Sequence, residues 1–285
     1  MADTAGELDI RGINVDSAVK GFSAEKFKLK QVCTVVRSNS WREDYYQETS
    51  DALTGGTQED ISGVPRLAEF PYLNPSWTLA STYHKKHAGS TWVSHEDELS
   101  DAFNVVTRAS FKVAEAIAYS VDRAIYAAIT GDANVNTAAA TDTWNSATVA
   151  NRDPIRDILT GIQYMGVDNY DGLENGYLLL SYLDNTNILM NSKVINNPSF
   201  KTADVVSNGV VGQVCGLKMI VSNAVDADEA AIVIGQLAVT YKELDSLKVA
   251  ITDHPGIKKV ISAWEIGVVQ IVHPEAIHII TNTQV

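Results

Sequence analysis

The 285-residue sequence predicts an α+β protein, with helix and strand segregated along the chain instead of alternating as repeated βαβ units. Three observations carry that expectation. From His95 to Thr130, Leu99, Phe103, Val106, Ser110, Val113, Ile117, Val121, Ala124 and Ala128 recur at steps of three and four, the pattern of one continuous helical face. From Val205 onward, short apolar runs alternate with turns (GVVGQVCG, LKMIVSNAV, EAAIVIGQLAVTY, SLKVAITDHPGIKKVISAWEIGVVQIV, AIHIITN), a strand pattern. Between residues 40 and 90 there is almost no helical period, and Pro65, Pro71 and Pro75 exclude a continuous helix.

Taken in order, residues 1–39 form an N-terminal arm and a first strand. The arm opens polar and acidic, becomes weakly amphipathic through SAVKGFSAEKFKLK, and leads into QVCTVV, residues 31–36. Such an arm buries no core of its own and is expected to dock elsewhere. Residues 40–93 form an extended loop, punctuated by Gly55–Gly56, with LASTYHKKH and GSTWVS flanking Ala88–Gly89 as the arms of a hairpin. A loop this long is unusual inside a compact domain. Its large side chains (Trp41, Tyr45, Tyr46, Phe70, Tyr72 and Trp77, with Arg66) are candidate contacts to a neighbouring subunit, because so many aromatics are costly to leave in water.

Ser94 reads as a helix N-cap followed by the acidic Glu96, Asp97 and Glu98, which suit the positive end of a helix. A helix over 95–130 would be about 54 Å long, a spine rather than an ordinary element. Gly131 stands where a helix ends. Residues 131–153 read as a small-residue linker. NRDPIRDILTGIQYMG follows as a shorter helix with Pro154 in its first turn, then YLLLS as a buried strand and YLDNTNILMNSKVIN as a helix.

Composition excludes several classes. Hydrophobic content of 45% and charged content of 20% are those of a folded soluble protein, and a net charge of −13 disfavours gripping phosphates. No apolar run is long enough to span a bilayer, and the first residues, MADTAGELD, lack a signal peptide's basic and apolar regions. Cys33 and Cys215 stand alone, so neither a disulfide nor a zinc site is expected, and a reducing cytoplasm is.

No nucleotide-binding, zinc-protease or hydrolase motif occurs. His84 and His87 read as solvated arm residues, and Pro274 breaks the register between His273 and His278. No metal, cofactor or catalytic residue is expected. Asp122 and Arg123 are adjacent, point about 100° apart around the helix, and are expected to anchor the spine to other segments.

Several phrases in fixed order resemble the major capsid proteins of tailed bacteriophages and related archaeal viruses, the Hong Kong 97-type fold. VSHEDELSDA, with Ser94, Glu96 and Glu98, is similar to that family's entry to the spine helix, and AYSVDRAIYAAITGD, with Asp122, Gly131 and Asp132, to its end. Downstream come Gly212 and Gly216 before MIVSNAV (Ser222, Asn223), then AAIVIG, then GVVQIVHPEAIHII with Gly267, Pro274 and Ala276.

The resemblance implies an N-terminal arm (1–39), an extended loop (40–93), a peripheral domain (94–150 and 238–266) holding spine helix 95–130, and an axial α/β domain (151–237 and 267–285). It implies a homo-oligomer of pentamers and hexamers that closes an icosahedral shell around double-stranded DNA without sequence-specific binding. The virion would assemble in the host cytoplasm, with a portal, possible decoration protein and, since Met1 opens directly on the arm, a separate scaffolding protein. Two alternatives stand beside it: an encapsulin-like nanocompartment shell around a cargo enzyme, which the long loop disfavours, and a cytoplasmic enzyme using Cys33 or Cys215.

Overall fold

The computed structural model describes residues 27–50, 65–69, 76–100, 105–191 and 213–284. The arm before residue 27, the loop over 51–64, Phe70, Tyr72 and Gly212 therefore lie outside the described residues.

In chain order the elements are a 3-10 turn at Leu29–Gln31, β1 (Thr34–Arg37), β2 (Arg42–Ser50), β3 (Ser76–Tyr83), β4 (Lys85–Ser94), α1 (His95–Ser100), α2 (Val105–Gly131) and β5 (Asn136–Ala139). There follow α3 (Pro154–Val167), β6 (Gly176–Leu180), α4 (Tyr182–Met190), β7 (Gln213–Val214), β8 (Leu217–Val221), β9 (Glu229–Ile234), β10 (Val239–His254), β11 (Lys258–Ile271) and β12 (Ile277–Thr281). Helices and sheets mix as α+β, as the sequence predicts. The strands form a four-stranded sheet in the order β1-β10-β11-β4, a six-stranded sheet in the order β5-β12-β9-β6-β8-β7, and the separate pair β2-β3.

Spine residues fall in α1 and α2, with 101–104 outside the described residues. Ser94 caps α1, its Oγ accepting from the Asp97 N–H at 3.1 Å. Along α2, Ser110, Val113, Ile117, Val121, Ile125 and Ile129 are buried, because steps of three and four keep them on the side that packs on β4 and β11. Leu99, expected on that face, is exposed instead.

Two local expectations change. Ala88–Gly89 is no hairpin turn: the two residues lie inside β4, paired with Trp264 and Ala263 of β11. The chain instead breaks step at His84, leaving the β2-β3 pair and entering the four-stranded sheet. The expected linker after α2 contains β5, which pairs in parallel with β12. NTAA has little strand propensity, so this strand exists because β12 offers it an open edge.

The long β10-β11 hairpin turns at His254–Ile257. The Ile257 N–H bonds to the His254 carbonyl at 3.0 Å, Pro255 opens the turn and Gly256 takes φ +69°, the left-handed conformation that favours glycine there. Gly161 serves close approach: a Cβ there would sit 2.7 Å from His278 Cδ2 and 2.8 Å from Ile232 Cδ1, so only glycine lets α3 lie this near β9 and β12.

Candidate assembly interface

The β2-β3 pair forms an arm of its own, separate from both larger sheets. In its register Arg42 lies opposite Tyr83, Asp44 opposite Ser81, Tyr46 opposite Leu79 and Glu48 opposite Trp77. Opposed residues share a face, so Tyr46, Leu79, Trp77 and Tyr83 line one side, each more than half exposed. Arg42, Asp44 and Ser81 on that face satisfy one another, whereas Glu48 at its end pairs with His273 of the body. Arg42 Nε donates to Asp44 Oδ1 at 2.9 Å, and the Ser81 hydroxyl donates to the same oxygen at 2.6 Å. Over 42–46 and 77–83 the outer face is thus a set of exposed apolar side chains around a closed polar network.

The opposite face is held by the chain's own body. Gln47 is buried, its Nε2 donating to Asp132 Oδ2 at 2.5 Å and its Oε1 accepting from Asn134 Nδ2 at 3.3 Å, both groups lying just beyond α2. The Glu48 N–H bonds to the Val272 carbonyl at 3.1 Å. Tyr45 turns to this inner side, half-buried, and bonds to the backbone of Ile271; burial pushes its phenol pKa up. Of the residues singled out in the sequence, Tyr46 and Trp77 come together on the outer face. Trp41 is exposed at the arm's root beside His84, and Arg66 is exposed in the short turn 65–69.

Asp122 and Arg123 each reach a different segment. Asp122 is buried, and its Oδ2 and Oδ1 accept from the N–H groups of Lys28 and Leu29 at 3.0 and 3.2 Å. These N–H groups open the 3-10 turn at 29–31, where Lys28 at the N-cap provides no side-chain cap, so the carboxylate of α2 caps it from a distance. Burial pushes the Asp122 pKa up to about 6, against the pull of the backbone N–H groups of Lys28, Lys30 and Leu29. Arg123 Nη1 donates to the Ala224 carbonyl at 3.0 Å and to Asp226 Oδ1 at 2.6 Å. Three residues on, the Tyr126 hydroxyl donates to Glu229 Oε2 at 2.9 Å, so one flank of α2 is fastened to the β8-β9 turn and the start of β9.

Sequence reasoning missed the partner of that anchor. Lys30 pairs with Glu243 of β10 and, at 2.8 Å, with Glu265 of β11, and its ammonium lies 4.8 Å from the rings of Phe27 and Tyr241. Burial alone would lower the Lys30 pKa, but the two carboxylates outweigh it and the net shift is upward. Glu265 is fully buried and also accepts from the Tyr241 hydroxyl at 3.1 Å. The alternation Ile261, Ala263, Glu265 in β11 puts this acid on the inward face, a signal the sequence did contain.

The remaining chemical candidates resolve as packing. Cys33 is buried and its thiol is pushed up to about 12 by burial, far from a reactive thiolate. Cys215, expected in a strand, occupies the two-residue turn between β7 and β8 with φ 52°. His84 is not solvated as expected but buried at the junction of β3 and β4. His278 lies within β12, stacked on Tyr164 at 5.4 Å, and burial drops its pKa to about 4. Among the described residues no three His, Cys, Asp or Glu side chains gather as a metal site, and no helix is long and apolar enough to cross a membrane.

The separate β2-β3 pair, the long helix α2 and the four- and six-stranded sheets can be compared with known proteins. Residues 80–277 match the family described as phage capsid protein. The chain belongs to that family. None of the curated protein sequences matches it. Among solved structures, this capsid protein is similar to the virus-like particle from Pyrococcus furiosus, with a TM-score of 0.65 and 11% identity over 94% of this chain and 97% of that one. It is similar to the capsid of the cyanophage P-SCSP1u, with a TM-score of 0.64 and 14% identity over 90% and 88% of the two chains. For Mycobacterium phage Che8 the TM-score is 0.62, with 14% identity over 86% of each chain. The fold is the Hong Kong 97-type capsid fold, as the sequence resemblance implied. Family and fold point to a structural role in the virion capsid, not to catalysis.

Proposed function

We propose that this chain is a major capsid protein whose copies assemble as pentamers and hexamers into an icosahedral shell enclosing double-stranded DNA. The observation that supports the reading is the outer face of the β2-β3 arm, where Tyr46, Leu79, Trp77 and Tyr83 are each more than half exposed. Burying four such side chains against a neighbour contributes on the order of 5–10 kcal/mol before the costs of association, ample for many weak contacts to close a shell. Trp41 and Arg66, exposed at the root and beyond the tip of β2, extend the same contact.

In this reading the four-stranded sheet and α2 form the peripheral domain and the six-stranded sheet with α3 and α4 the axial domain. Asp122 and Arg123 are anchors that fix the spine to the N-terminal 3-10 turn and to the β8-β9 turn. A net charge of −13 fits a wall that must not adhere to packed DNA. A scaffolding protein, a portal and a decoration protein are the expected partners, with assembly in the host cytoplasm.

Electron microscopy of the expressed chain, alone or with a scaffold, tests the proposal: closed shells hundreds of Å across are expected, and a monomer under all conditions refutes it. Replacing residues 50–64 by a short Gly-Ser turn is expected to spare subunit folding and lower shell yield. Nuclease-protected DNA in native particles supports the DNA-packaging reading; a packaged enzyme in its place would make the shell a nanocompartment.

A further inference from the structure

The arm's attachment to the body includes one close histidine–carboxylate contact. Near the end of β2, Glu48 Oε2 lies 3.0 Å from Nδ1 of His273, and the Tyr170 hydroxyl lies 3.3 Å from the same nitrogen. Three separate parts of the chain meet there. Glu48 belongs to the arm, His273 to the crossover from β11 to β12, and Tyr170 to the loop after α3. The pair is about one-quarter exposed on each side, so water reaches it but does not fully screen it.

The chemistry of Nδ1 makes this contact conditional. In the imidazolium both ring nitrogens donate, so Nδ1–H faces a carboxylate that can only accept, with full charge assistance. In the neutral ring one nitrogen must accept. If it is Nδ1, the Tyr170 hydroxyl can donate to it while Glu48 is left against a lone pair. Even the neutral ring with its proton on Nδ1 holds Glu48 without the charge. Glu48 and Tyr170 are the titratable groups that face His273 from the arm and the α3 loop, and Glu275 lies in the same turn.

We propose that Glu48, His273 and Tyr170 form a pH-governed latch on the arm: the protonated histidine clamps Glu48 and fixes the arm's root to the crossover, and the neutral histidine turns to Tyr170 and frees it. Gln47, which bonds to Asp132 and Asn134, carries no charge, and at the start of the arm His84 Nε2 lies 3.8 Å from Glu43 Oε1, beyond hydrogen-bond distance, so the closer Glu48–His273 contact is the one that a proton on the ring strengthens most.

Hydrogen–deuterium exchange of β2 and β3 in the 285-residue chain tests the latch, with exchange corrected for its intrinsic pH dependence and assembly state followed by light scattering. The expected protection of residues 45–50 is about two- to fivefold greater at pH 5.5 than at pH 8, the range of a partly exposed ion pair. His273→Gln and Glu48→Gln are each expected to lower that ratio by at least half, with circular dichroism and melting unchanged. Tyr170→Phe should reduce the ratio without abolishing it, because Glu48 then has no competitor for the neutral ring. A wild-type ratio of one, or a ratio retained in either His273→Gln or Glu48→Gln, overturns the proposal.

Discussion

The two large sheets of this subunit are built from similar residues but treated differently by the fold. In the six-stranded sheet, Ala230 to Ile234 of β9 and Leu178 to Leu180 of β6 are buried without interruption, so both faces are covered. In the four-stranded sheet, β4 and β11 alternate. Val93, Ile261 and Ala263 face α2 and are buried, whereas Trp92 on the other face is 64% exposed and Trp264 is only partly covered. A sheet covered on both faces is finished within its own chain, and one with an open face is finished elsewhere. The difference separates what the subunit needs in order to fold from what it holds in reserve for assembly.

The largest effects should therefore come from the six-stranded sheet. Truncating Ile232 or Leu178 to Ala is expected to cost about 2–5 kcal/mol in urea unfolding, since both side chains are fully buried and a cavity would remain. Gly161→Ala is expected to cost about 1–3 kcal/mol, because the new methyl meets His278 and Ile232 and α3 must lift from the sheet. A cost for Ile232→Ala no greater than that of an exposed four-stranded-sheet substitution would remove the distinction between the two sheets.

What could be read in advance follows the range of the interaction. The spine helix is legible because its period is local: Val113, Ile117 and Val121 announce their face within a few residues. The break at His84 was not, since whether β3 ends at His84 or at Ala88 is decided by β11, some 170 residues away in sequence, which claims Lys85 to Ser94 as partners. Strand β5 was missed for the same reason, its pairing with β12 lying outside any local window. Asp122 was legible as an anchor from its place on the helix flank, but not its partners, the N–H groups of Lys28 and Leu29 that lie more than ninety residues earlier. Half of the arm's outer face was legible from its aromatics. The other half, Leu79 and Tyr83, needed the β2-β3 register.

Proton binding sharpens the comparison at intermediate size. Asp122, which ties α2 to the N-terminal segment, has a folded pKa of about 6, above the usual carboxyl value near 4. Its contribution to stability is present below about pH 4 and lost as pH rises through about 6. His278, inside the six-stranded sheet, has a folded pKa of about 4, below the usual value near 6.5. Its contribution is present above about pH 6.5 and lost as pH falls through about 4. The two oppose each other between pH 4 and 6.5. Asp122→Asn should make stability rise more from pH 4 to pH 7 than in wild type, and His278→Phe should make it rise less, each by about 2 kcal/mol. Urea midpoints at the two pH values read both, and equal pH responses in wild type and variant would show that the group does not titrate as its burial requires.

The smallest expected effect on the isolated subunit is the most informative about the open surfaces. Trp92 on the four-stranded sheet and Trp77 and Tyr46 on the arm are each more than half exposed, so little of their area leaves water when the subunit folds. Trp92→Ser, or Tyr46→Ser with Trp77→Ser, should therefore shift unfolding by no more than about 0.5 kcal/mol. The same side chains become costly to lose only if a second copy covers them, because burial would then occur on assembly and not on folding. Shell yield measured by sedimentation should fall well below wild type for both sets while subunit unfolding stays put. If stability falls and shells still form, these side chains serve their own chain, and the contrast between a finished sheet and an open one is wrong.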